Sequence, residues 1–165
     1  MNIKYLFLIA FLNIFFKSEA QLLIIDTTEF RNKLNNLNIE NEKFNQVCCY
    51  NKFPLFIKNG LKEIGKTKFK IADPNGEYNS TDDIKNSRLP YRKLIYANMS
   101  DNYFIFSYFK NEGTATGMKC IIIRYTKEKK ISWVLSFRPP IVHTLEELIK
   151  FIRFKRDIFY PQINI

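Results

Sequence analysis

One histidine, His143, and three cysteines are the side chains of this chain best suited to covalent chemistry, and their number already limits them. A single histidine excludes multi-histidine zinc sites, facial triads and His–His acid–base pairs. What it leaves is a cysteine nucleophile with a histidine base, which needs one of each. Cys48 and Cys49 lie where a loop approaches a helix and are the better nucleophile candidates. Cys120 sits in an apolar run and reads as a small buried hydrophobe. His143 directly precedes Thr144 at a helix start, and nothing in the spacing brings it to either candidate. In an oxidising compartment one disulfide from Cys120 to Cys48 or Cys49 is expected, because bridging the adjacent pair would strain the backbone.

Carboxylates gather at Asp82-Asp83, with Asp73 and Glu77 before them. A glycoside hydrolase needs two carboxyls roughly 5–10 Å apart, but aspartates also cluster because they stabilise turns. Their spacing does not match a calcium loop. The segment Gly113-Thr114-Ala115-Thr116-Gly117 has neither the lysine-serine sequel nor the following helix of a phosphate-binding loop. It reads as a hairpin loop whose Gly113, Thr114, Thr116 and Gly117 are candidate ligand contacts, since loops carry much recognition. Basic and aromatic residues interleave at Tyr91-Arg92-Lys93 and from Lys150 to Arg156, a mixture that serves anionic polymers through charge and stacking. Neither stretch matches an RNA-recognition or helix-turn-helix pattern, so nucleic acid is disfavoured as a partner. Two glycosylation sequons occur, at Asn79 and Asn98. No metal or cofactor motif is present.

The first twenty residues set the compartment. Lys4 precedes an apolar run from Tyr5 to Phe16, and Ser18-Glu19-Ala20 ends in small residues. That is the order of a secretory signal, and the run is short of the ~20 residues a bilayer span needs. Cleavage after Ala20 would make the protein exported, either secreted or periplasmic, with no transmembrane segment left. The full chain carries 26 Lys and Arg against 16 Asp and Glu, a formal charge of +10. Loss of Lys4, Lys17 and Glu19 brings the mature charge to +9, which favours anionic surroundings such as a glycan, a lipid surface or an acidic protein.

Residues 21–165 are one domain's worth of chain, without repeats or linkers. Asp26 with Glu29 makes a capping box, and Phe30, Leu34 and Leu37 follow at helical spacing, predicting a helix over about 28–37. Residues 35–45 read as a loop. Pro54 suits the first turn of a second helix, whose apolar face is Leu55, Phe56, Ile57, Leu61 and Ile64 and whose left-handed stop falls at Gly65. Phe69 and Ile71 alternate with lysines, as in a half-exposed strand. Four β-rich runs then follow, Arg92–Ala97, Tyr103–Phe109, Met118–Tyr125 and Ile131–Phe137, with short polar connections that argue for an antiparallel meander. Thr144 with Glu147 caps a last helix carrying Leu145, Leu148, Ile149 and Ile152 on one stripe.

The strands are apolar on both faces. Tyr103, Ile105 and Phe109 oppose Phe104, Phe106 and Tyr108, while Cys120 and Ile122 oppose Ile121 and Ile123. Both faces must therefore be covered, and the simplest arrangement puts the N-terminal helices on one and the C-terminal helix on the other. The expected fold is α+β: a mainly antiparallel, four- to five-stranded meander sheet with N-terminal helices and a C-terminal helix packed on it. The function this favours is a non-enzymatic exported domain that binds through a sheet edge or the 110–117 loop. Two alternatives are a small hydrolase or transferase using a Cys/His or carboxylate pair, and a binder of anionic polymers or membrane surfaces.

Overall fold

The computed structural model describes residues 23–66, 68–80, 87–112, 116–154, 159–162 and 165. The expected signal segment, the acidic pair Asp82-Asp83 and the loop residues Gly113 and Thr114 lie outside them. Among the described residues, three α-helices, α1 (Thr27–Asn35), α2 (Leu55–Gly65) and α3 (Leu145–Phe154), and a 3-10 turn (Tyr50–Lys52) accompany five strands: β1 (Asn45–Gln46), β2 (Arg92–Met99), β3 (Tyr103–Asn111), β4 (Thr116–Tyr125) and β5 (Ile131–Phe137). The strands lie in the order β1-β2-β3-β4-β5, every pair antiparallel. This is the α+β meander the sequence predicts.

The helix ends follow their caps. Asp26 accepts the Glu29 N–H at 2.7 Å, satisfying one of the amides that a helix start leaves open. At α3 the Thr144 hydroxyl accepts the Glu147 N–H at 3.2 Å, and the Glu147 carboxylate accepts the His143 N–H at 2.6 Å. The reciprocal bond of the capping box thus reaches one residue further back than usual. Helix α2 starts after Pro54, but Gly65 remains helical and Lys66 takes the left-handed position at φ 52°. The expected left-handed stop is therefore one residue late, on a side chain that opposes it.

Both faces of the sheet are buried, with the alternation read from the sequence. One face carries Tyr103, Ile105, Cys120 and Ile122, and the other Phe104, Phe106, Tyr108, Ile121 and Ile123. The distribution of helices differs from the expectation. Phe30 and Leu34 of α1 share the first face with Leu145, Leu148 and Ile152 of α3, while Ile57 and Leu61 of α2 cover the second. A stack of rings deepens that second face. Phe53 meets Phe104 at 4.7 Å and Phe106 at 5.3 Å, and Phe69 stands edge-on to Tyr108 at 5.8 Å. Each buried ring contributes about 1.5–3 kcal/mol by leaving water.

The segment holding Phe69 and Ile71 is not a regular strand. It buries both side chains and touches the sheet through a single parallel bridge, Ala72 to Lys93. The fifth strand is instead the polar pair Asn45–Gln46, at the end of the stretch 35–45 expected to be loop. Strand β5, and β2 beyond the reach of the short β1, carry further partners. On β5, Val134 and Ser136 carbonyls accept the Ile24 and Gln162 amides at 2.9 and 2.7 Å. On β2, Ala97 and Arg92 carbonyls accept the Val47 and Ala72 amides at 2.8 and 2.9 Å.

Candidate functional site

The cysteine candidates are not brought together. Cys48 follows Val47 on the β1 side of the sheet, whereas Cys120 lies in β4. Three inter-strand spacings, roughly 14 Å, separate those strands, about twice the span a disulfide bridges. All three thiols are free, and the expected Cys120 disulfide does not form. Cys120 is fully buried, and burial pushes its thiol up to about 12 despite a bond with Ser107. It is the inert core residue its sequence context predicts. His143 is exposed at the start of α3, and among the described residues no bond, ion pair or ring contact joins it to a cysteine. The sequon residue Asn79 is fully buried, with its amide on the Leu89 carbonyl at 3.4 Å, so the folded chain offers no room for a glycan there.

A different constellation forms where β3, β4 and the ends of β2 and β5 meet. On β3 the parity that buries Phe104, Phe106 and Tyr108 next presents Lys110; on β4 the parity of Ile121 and Ile123 presents Lys119. Tyr108 lies directly opposite Lys119, and Arg92 opposite Lys110. Glu112 leaves the end of β3 and bonds Lys119 at 3.2 Å and the Arg138 guanidinium that follows β5. Gly117 makes room for this carboxylate, since a Cβ there would stand 3.3 Å from Glu112 Oε2. Four cationic side chains thus converge around one carboxylate among the described residues.

Burial sets the electrostatics. The Lys119 side chain is 1% exposed, while Arg138 is 52% exposed and forms the rim. Burial, then the Lys119 and Arg92 charges, bring the Lys110 ammonium down to about 8, with Glu112 opposing. Lys119 is lowered chiefly by burial, which outweighs its bond to Glu112. Burial would raise the Glu112 carboxyl, but the bonds and charges of Lys119 and Arg138 together hold it below the usual carboxylate range.

Two polar atoms at the base are left over. Tyr108 Oη and Arg92 Nε are buried without a hydrogen-bond partner, although Arg92 caps the Phe69 ring at 4.7 Å and donates to the Ile165 carbonyl at 2.6 Å. An unpaired buried hydroxyl costs about 1–3 kcal/mol. Burial also drives the Tyr108 phenol upward, against the charge and the close approach of the Arg92 guanidinium, which lies near the hydroxyl without hydrogen-bond geometry, so the phenol stays a neutral donor. A buried neutral donor set among cations suits an oxyanion, because each N–H or O–H can point at a negatively charged acceptor.

Of the loop candidates, Thr116 and Gly117 are described and border this cluster, with the Thr116 hydroxyl donating to the Ser80 carbonyl at 2.7 Å. Arg92 was singled out in the sequence beside its aromatic neighbours; Lys110, Lys119, Glu112 and Arg138 were not. The signal for the two lysines is parity, a lysine standing in phase with buried residues. A hollow of about 320 Å³ lies between α1 and the sheet, lined by Asn32, Asn36, Arg124 and Trp133 among others. It gathers no orphaned polar atom. No helix among the described residues is long and apolar enough to cross a membrane, and none of their His, Cys, Asp and Glu side chains group in threes to hold a metal. No protein-family model, curated protein or solved structure matches the chain.

Proposed function

We propose that the mature chain is an exported, non-enzymatic binding domain that recognises an oxyanion, a sulfate or phosphate group carried by a glycan or a lipid head group. The observation that carries this reading is a buried lysine, Lys119, set with Lys110, Arg92 and Arg138 around a base where the Tyr108 hydroxyl has no partner. The excess of basic over acidic residues draws such ligands from a distance, and the cluster gives them a place to stop.

The test is calorimetric titration of the chain beginning at Gln21 with a sulfated disaccharide, its desulfated counterpart, and vesicles containing an anionic phospholipid. Binding to the sulfated sugar or to the vesicles, but not to the desulfated sugar, is expected, and the positive arm names the source. Lys110→Met and Arg138→Gln should each weaken it about tenfold, since a hydrogen bond to a charged group contributes about 1.5–3 kcal/mol. Equal binding of both sugars without vesicle binding, or variants that bind like the wild type, would refute the reading.

A further inference from the structure

Two thiols stand side by side at the sheet edge, and neither the core nor the anion site uses them. Cys48 Sγ donates to Cys49 Sγ across 3.3 Å, with Cys48 exposed and Cys49 half-buried. The backbone on either side is anchored. The Val47 amide donates to the Ala97 carbonyl at 2.8 Å, the Tyr50 amide to the Asp73 carboxylate at 2.8 Å, and the Lys52 amide to the Cys49 carbonyl at 3.1 Å. The pair is therefore presented by ordered chain. Two sulfurs fall short of the four ligands of a structural zinc site, and no described group of three or more His, Cys, Asp or Glu completes one. Thiol–disulfide exchange with an external disulfide is the reaction that two adjacent thiols carry through without a further protein group.

We infer that Cys48-Cys49 is a reactive dithiol site whose co-reactant is a low-molecular-weight disulfide, RS–SR. One cysteine loses its proton and attacks a sulfur of RS–SR; a protein–S–S–R bond forms and RS⁻ leaves, taking up that proton. The neighbouring cysteine then loses its proton and attacks the protein sulfur of the mixed disulfide. The Cys48–Cys49 bond forms, and the second RS⁻ leaves and is protonated. Two protein thiols are oxidised and one external disulfide is reduced to two thiols. The sulfurs must close from 3.3 Å to a bond of about 2 Å. The strain that counts against this small ring as a permanent cross-link makes it easy to reduce, so excess RSH reopens it. Cys120 takes no part, being buried and strands away.

The experiment incubates the wild type, Cys48→Ser, Cys49→Ser and Cys120→Ser with oxidised glutathione at mildly alkaline pH, then quenches with acid and weighs the intact proteins. The wild type and Cys120→Ser are expected to lose two hydrogen masses without a retained adduct, and excess reduced glutathione should restore the starting mass. Cys48→Ser and Cys49→Ser should each hold one glutathione, having no neighbour to expel it. A folded wild type that keeps a stable adduct on either cysteine, or that does not react while 4 M urea exposes reactive thiols, would overturn the assignment.

Discussion

Lys119 puts a charged ammonium where almost no water reaches, and the Glu112 carboxylate meets it at 3.2 Å. Breaking such a pair from one side is costly because the remaining charge stays buried. Lys110, a diagonal neighbour on the same face, feels the crowding as a lowered pKa of about 8, through burial first and the neighbouring cations second. The consequence for pH has a definite sign. A lysine with a folded pKa below its unfolded value, about 10.4, lets the unfolded chain bind more protons, so stability rises with pH between the two. Urea unfolding at pH 7 and at pH 9.5 should show the wild type gaining stability relative to Lys110→Met. Anion affinity should move the other way, falling as pH passes about 8 because the neutral amine no longer attracts the ligand. Lys110→Met should lack that step.

At the scale of elements, capping and parity explain most of what forms. Asp26 and Thr144 start their helices with the bonds their sequence neighbours foretell, and replacing either by alanine should cost about 1 kcal/mol. The stop of α2 runs against local preference, since Lys66 sits at φ 52°. Lys66→Gly should therefore raise stability by about 1 kcal/mol, a gain of roughly 2–4 °C in midpoint for a domain this size. The four main strands, their facing residues and the two-sided burial were legible because period-2 alternation survives in Phe104, Phe106 and Tyr108. Strand β1 was not legible: Asn45 and Gln46 have no strand preference and are placed by pairing with Met99 and Asn98. The sharing of one face by α1 and α3 was hidden for a related reason, because an amphipathic stripe says that a helix docks but not on which side. For the site, parity points Lys110 and Lys119 inward, yet their meeting with Arg92, Glu112 and Arg138 depends on inter-strand register, which no single segment encodes.

For the molecule as a whole, helices close both faces and irregular segments bond to β5 and to β2. Strand addition is hindered wherever those bonds lie, which leaves the β3–β4 end, where exposed Arg138 rims the buried donors, as the region offered to a partner. Ligand binding there should be felt globally, since anything that binds only the folded state raises its stability. The measurement that bears most directly on this is thermal unfolding of the wild type and Glu112→Gln below pH 7, with the sulfated disaccharide or its desulfated counterpart. Without ligand, Glu112→Gln should unfold at lower temperature, because Lys119 loses its carboxylate partner. The sulfated sugar should then raise its midpoint by more than it raises that of the wild type, the competing negative charge being gone. Equal shifts from the two sugars, or a smaller sulfate-dependent gain in Glu112→Gln, would contradict an oxyanion site at this cluster.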